Sequence, residues 1–131
     1  VVSNKLQSGV DELHRNFFSD TIDVAIGERT GIPRKPAPDM IQLALKELEE
    51  RGATIDHPIY IGDSEIDLQT AKNSNLPCIS VLWGFRDRDL LEKHGASVFA
   101  ETPGEILETL KTLSPALPLY GEGENSKMQI K

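Results

Sequence analysis

Ile59-Tyr60-Ile61-Gly62-Asp63-Ser64-Glu65-Ile66-Asp67 joins a short apolar run to a glycine, then to two carboxylates at the start of a helical pattern. An apolar strand delivers Asp63 directly past its end, Gly62 permits a tight turn, and Asp67 follows four residues on. Two carboxylates converging on a small volume suit a hard cation such as magnesium, which takes oxygen ligands and keeps several waters. Ser64 and Asp67 also have the spacing of a capping box, which offers a purely structural use for the second carboxylate.

Working outward, short apolar segments alternate with longer helical patterns, the signature of βαβ units and a parallel sheet. The expected strands are Val1-Val2, Ile22–Ile26, Ile59–Ile61, Cys78–Leu82 and Ser97–Ala100. Ile41, Ala44, Leu45 and Leu48 recur at helical spacing, with Pro38 in the first turn and Gly52 as the stop. A second helix is expected after Pro103 with Ile106, Leu107 and Leu110 inward. The fold class is therefore α/β, a Rossmann-like parallel sheet flanked by helices. Residues 1–113 form the core domain, and residues 114–131, with Pro115, Pro118, Gly121 and Gly123, read as a C-terminal tail.

Ligands of such sheets bind beyond the carboxyl ends of the strands, so the residues after each strand carry the functional reading. Val1-Val2-Ser3-Asn4-Lys5 places a hydroxyl and an amide after a strand, where they could bind phosphate or cap the next helix. Arg34-Lys35-Pro36-Ala37-Pro38-Asp39 is a stiff loop that can aim the Lys35 ammonium at a phosphoryl group, or form a solvated basic turn. Trp83-Gly84-Phe85-Arg86 follows the Cys78–Leu82 strand, its aromatics available to a substrate, to a covering segment or to packing. Cys78 reads as an inert core thiol. His14, His57 and His94 are too far apart in sequence to suggest a zinc site.

Composition narrows the classes. The 131 residues are one domain's worth, with a formal net charge of -7 and a pI near 4.9. That balance excludes general binding to nucleic acid or to an anionic membrane. One cysteine, no apolar run of about 20 residues and no secretory signal point to the cytoplasm.

Taken in order, Val1-Val2-Ser3-Asn4-Lys5, Arg34-Lys35-Pro36 and Gly62-Asp63-Ser64-Glu65-Ile66-Asp67 resemble the second, third and fourth motifs of the haloacid dehalogenase-like superfamily. Val81-Leu82-Trp83-Gly84-Phe85-Arg86 resembles its phosphoglycolate phosphatase-like branch. The resemblance implies that Ser3, Asn4 and Lys35 bind phosphate, with Lys35 also serving catalysis by steadying charge around the phosphoryl group. It further implies that Asp63 and Asp67 form the magnesium site.

The family's first motif, an apolar strand ending in Asp-x-Asp whose first aspartate attacks phosphorus, is absent; Asp87-Arg88-Asp89 reads as a polar helix start. In the family that strand is central, between those carrying the second and fourth motifs, so the sheet is expected to be incomplete and the helical cap missing. About thirty residues separate Ser3 from Lys35, too few for the alternative cap.

The expected function is that of a C-terminal fragment of a magnesium-dependent phosphatase. The intact enzyme would hydrolyse a small phosphorylated metabolite, a phosphoglycolate-like monoester, through an aspartyl-phosphate, while this chain alone would be inactive. The expected partner is the N-terminal segment, or another chain, that completes the sheet. The alternatives are a noncatalytic phosphate- or partner-binding module that begins at Val1, and a phosphomutase on the same scaffold.

Overall fold

The computed structural model describes residues 1–116, with side chains through residue 112. Strand β1 (Val2–Leu6) leads into α1 (Gln7–Leu13), which continues as a π-helical turn over His14–Phe18 before β2 (Ile26–Glu28). After α2 (Asp39–Glu50) come β3 (Tyr60–Gly62), α3 (Glu65–Asn73), β4 (Cys78–Val81), α4 (Arg88–Lys93), β5 (Phe99–Ala100) and α5 (Pro103–Ala116). All strand pairs are parallel, and the helices pack against the strands as the alternating pattern predicts.

The strands form two separate sheets among the described residues, one of β1 and β2, the other ordered β3-β4-β5. No strand pairing joins β1 to β3. Side chains do join them on one face: Ile41 from α2, Tyr60 from β3 and Ala71 from α3 form a buried cluster against which Val2 of β1 packs. Each sheet also keeps its own core, centred on Ile26, Met40 and Ala44 in one and on Ile59, Ile79 and Ala100 in the other. Between the sheets lies a cleft of about 300 Å³, lined by Val1 and Val2 on one side and by Ile61, Gly62 and Asp63 on the other. The sheet is incomplete at the point where the family resemblance implies a missing central strand.

Several local expectations need correction. The strand expected over Ile22–Ile26 begins only at Ile26, because the Ile22 carbonyl bonds to His14 Nε2 at 2.6 Å and the Ile22 amide closes a turn onto Phe18. Strand β1 reaches Leu6, so Ser3 and Asn4 lie within it rather than after it. Neither caps α1, whose N-cap is Leu6 with no side-chain hydrogen bond. In α5, Ile106 and Leu110 pack on the second core, but Leu107 is 58% exposed. The 106/110 pair shares a helical face that the 107 position leaves. Helix α5 also continues past residue 113 to Ala116, into the stretch read as tail; residues 117–131 lie outside the described residues.

Helix α2 follows its pattern closely, burying Met40, Ile41, Ala44 and Leu48. Its chain leaves through Gly52 at φ +92°, a left-handed conformation that glycine adopts without steric cost. Asp87 caps α4 by accepting a hydrogen bond from the Leu90 amide at 2.9 Å, the polar helix start expected of the Asp87-Arg88-Asp89 run. Among the described residues, no helix is long and apolar enough to cross a membrane.

Candidate active site

Strand β3 places Tyr60 in the core and Asp63 beyond its carboxyl end, and α3 starts two residues later. Asp67, in the first turn of α3, becomes the hub of the local structure. Its Oδ2 accepts from the Asp63 amide at 3.0 Å, the Ser64 amide at 3.2 Å and Ser64 Oγ at 3.0 Å. The Asp67 amide in turn donates to Ser64 Oγ, completing the capping box that its spacing allowed. Its Oδ1 accepts from Lys35 Nζ at 3.0 Å and from Tyr60 Oη at 2.8 Å.

Gly62 is required by this crowding rather than by a turn. A Cβ on Gly62 would overlap the Cβ and carboxylate of Asp67. Tyr60, 2% exposed, bridges the pair by donating to Asp67 and accepting from Lys35 Nζ at 3.0 Å. In the sequence Tyr60 reads only as a strand residue. The missed signal was the hydroxyl itself, since a tyrosine inside an apolar strand must find a partner for its oxygen when buried.

The loop before α2 brings Lys35 to this cluster. Asn4 fixes it by a reciprocal pair of bonds: its Nδ2 donates to the Lys35 carbonyl at 3.1 Å and its Oδ1 accepts from the Lys35 amide at 2.9 Å. Asn4 thus couples β1 to the Lys35 loop across 31 residues of sequence. Ser3 Oγ accepts from the nearby Lys5 amide at 3.1 Å. The structure therefore brings Asn4, Lys35 and Asp67 into one connected network with Asp63, and leaves Ser3 on a local bond.

Electrostatics follow from these contacts. Burial alone would raise the Asp67 carboxyl, but the Lys35 ammonium and the hydrogen bonds from Lys35, Tyr60 and Ser64 outweigh it and hold the group below its ordinary value. Burial pushes the Tyr60 phenol well above its usual range, and the Asp67 charge adds to the shift. Asp67 is thus an anion committed to the protein's own donors. Asp63 differs: Oδ2 accepts from the Phe85 amide at 3.1 Å, and Oδ1 has no hydrogen-bond or ion-pair partner among the described residues. No group of three or more His, Cys, Asp and Glu gathers as a metal cage there. One open carboxylate oxygen fits magnesium, which is bound through one or two carboxylates together with waters and substrate oxygens.

Residues 1–81 match the family of haloacid dehalogenase-like hydrolases. The chain belongs to that family. A phosphoglycolate phosphatase of Rhodobacter capsulatus is 39% identical over 73 residues, covering 56% of this chain and 31% of the relative. That of Escherichia coli K12 is 29% identical over 105 residues, covering 79% of this chain and 38% of the relative. A crystal structure from Lactobacillus delbrueckii subsp. bulgaricus, assigned as a phosphoglycolate phosphatase, superposes with a TM-score of 0.75 at 45% identity and covers 84% of this chain and 45% of that one. These relatives place the chain in the phosphoglycolate phosphatase-like branch. The chain spans less than two fifths of the length of either curated relative.

Within this haloacid dehalogenase-like chain, Asp87-Arg88-Asp89 caps α4 and lines no part of the cleft between the sheets. Cys78 opens β4, and burial pushes its thiol up to about 12. Trp83 and Phe85 are 51% and 93% exposed, so neither is a packing residue among the described residues.

Proposed function

We propose that this chain is the phosphate- and magnesium-binding part of a phosphatase that hydrolyses a small phosphorylated metabolite of the phosphoglycolate type. The observation that carries the reading is the opening of the Lys35–Tyr60–Asp67 network and Asp63 onto the cleft between β1 and β3. If one parallel strand fills that cleft and is numbered first, the sheet order becomes 3-2-1-4-5-6, the doubly wound arrangement whose ligands bind at the reversal of strand order. Lys35, Asp63 and Asp67 all line the cleft.

The strand filling the cleft, from an N-terminal segment or another chain, would supply the aspartate that this chain lacks. Its first carboxylate attacks phosphorus, the P–O bond to the metabolite breaks, and the departing oxygen takes a proton from the second aspartate of the Asp-x-Asp. Water then attacks the aspartyl-phosphate and releases inorganic phosphate and the free aspartate. Lys35 steadies negative charge on the phosphoryl oxygens, held by Asn4 through its backbone and by Asp67 and Tyr60 through its ammonium. Ser3, at the same end of the chain, offers its hydroxyl to a phosphate oxygen. Asp63 would hold magnesium, which when bound would supply further charge neutralisation, with Asp67 supporting the turn behind it. Such an enzyme would work in the cytoplasm.

The test is complementation. Co-expression with an upstream segment containing an apolar strand that ends in Asp-x-Asp should yield magnesium-dependent hydrolysis of phosphoglycolate, lost on Lys35→Ala. A folded, complemented complex that shows no phosphatase activity would refute the reading.

A further inference from the structure

The loop after β4 is attached to the candidate metal site at three successive residues. Gly84 has no room for a side chain, because a Cβ there would overlap the Asp63 carboxylate. The Phe85 amide donates to Asp63 Oδ2 at 3.1 Å. Arg86 closes the contact with a two-pronged ion pair to Glu65, Nε to Oε2 at 2.9 Å and Nη2 to Oε1 at 3.3 Å. Glu65 lies two residues beyond Asp63 at the start of α3, so the pair ties the loop to the same turn that carries Asp63. Exposed ion pairs contribute little to stability, so what this one supplies is geometry.

We propose that the Glu65–Arg86 pair is a positioning clamp for Asp63. By holding the loop down, it keeps the Phe85 amide on Oδ2, and so leaves Oδ1 as the oxygen presented to a divalent cation. Freed of the clamp, the loop lifts, Oδ2 loses its donor, and the carboxylate rotates among orientations that a cation must then restrict. Outer partners that orient a ligand typically change metal affinity by about 10-fold or more when removed. The clamp's effect on magnesium rests on the reading of Asp63 as a ligand, whereas its effect on the loop does not.

Two readouts separate these levels: the amide resonance of Phe85 in a nitrogen–proton correlation spectrum, and the magnesium isotherm from calorimetry. Glu65→Gln and Arg86→Gln should each move the Phe85 amide signal toward its unbonded position and weaken magnesium by about 10-fold. The exchanged pair Glu65→Arg with Arg86→Glu should restore both. An arginine in the first turn of α3 opposes the helix dipole, so rescue is judged on these two readouts and not on stability. Asp63→Asn serves as the reference, abolishing the magnesium isotherm if Asp63 is a ligand. A wild-type isotherm in Asp63→Asn would overturn the metal reading, and the Phe85 signal would still decide the clamp. An unmoved Phe85 signal in both single variants, or a moved signal with unchanged magnesium affinity while Asp63→Asn loses it, would overturn the positioning role.

Discussion

Asp67 is the residue on which the local structure and the candidate site converge. It accepts five hydrogen bonds, from Lys35, Tyr60, the Asp63 amide and both the amide and hydroxyl of Ser64. The side chains of Lys35 and Asp67 are 12% and 9% exposed. Removing one partner of a buried pair typically costs about 3–5 kcal/mol, because the other charge is left uncompensated. Asp67→Ala is therefore expected to destabilise the chain by about 3 kcal/mol, measured as a lower urea midpoint at pH 7.

The pH dependence has a definite sign. Asp67 is held below its ordinary value in the folded state, so its contribution is complete above the unfolded carboxyl value of about 3.9 and is lost as pH falls through the folded one. Tyr60 is raised, so its contribution holds below about pH 10 and declines as pH rises beyond it. Denaturation midpoints should fall in strong acid, and the fall should be shallower in Asp67→Asn. The same acid slope in both proteins would show that Asp67 is not the group responsible.

At the scale of elements, the regular parts were legible because pattern and packing agree. The α2 stripe, the Gly52 stop and the apolar strand before Gly62-Asp63 combine periodicity with a chemical stop, and each recurs in the structure. Where a tertiary bond competes with propensity, the reading fails. Ile22 has the composition of a strand residue, yet His14 takes its carbonyl. Leu107 is apolar, yet it points outward. Ile106→Ala should destabilise by about 2 kcal/mol, the low end for a residue only partly buried, whereas Leu107→Ala should change stability by less than about 0.5 kcal/mol. Equal losses in urea denaturation of the two variants would reverse the assigned face of α5.

The same distinction governs the candidate site. Asp63 and Lys35 stand out in one dimension, Asp63 because it follows an apolar strand and Lys35 because it sits in a stiff proline loop. The Asn4–Lys35 pairing, the Tyr60 bridge and the Glu65–Arg86 clamp were not readable. They join segments 31, 25 and 21 residues apart, and no local pattern specifies which polar groups will meet at such separations.

For the whole molecule, the governing feature is a sheet divided between β1 and β3, with Lys35, Asp63 and Asp67 lining the cleft at the division. Strand edges that are unpaired among the described residues and face one cleft invite another strand, which adds by main-chain hydrogen bonds. In the proposed mechanism the attacking carboxylate comes from the added strand, and removing a nucleophile from residues that act as a unit costs many powers of ten in rate. The most direct measurement is hydrolysis of an aryl phosphate, with magnesium, by this purified chain alone. Release of aryl alcohol is expected to stay at the buffer rate. Rapid hydrolysis that disappears in Asp63→Asn would contradict the claim that the nucleophile must come from outside these residues.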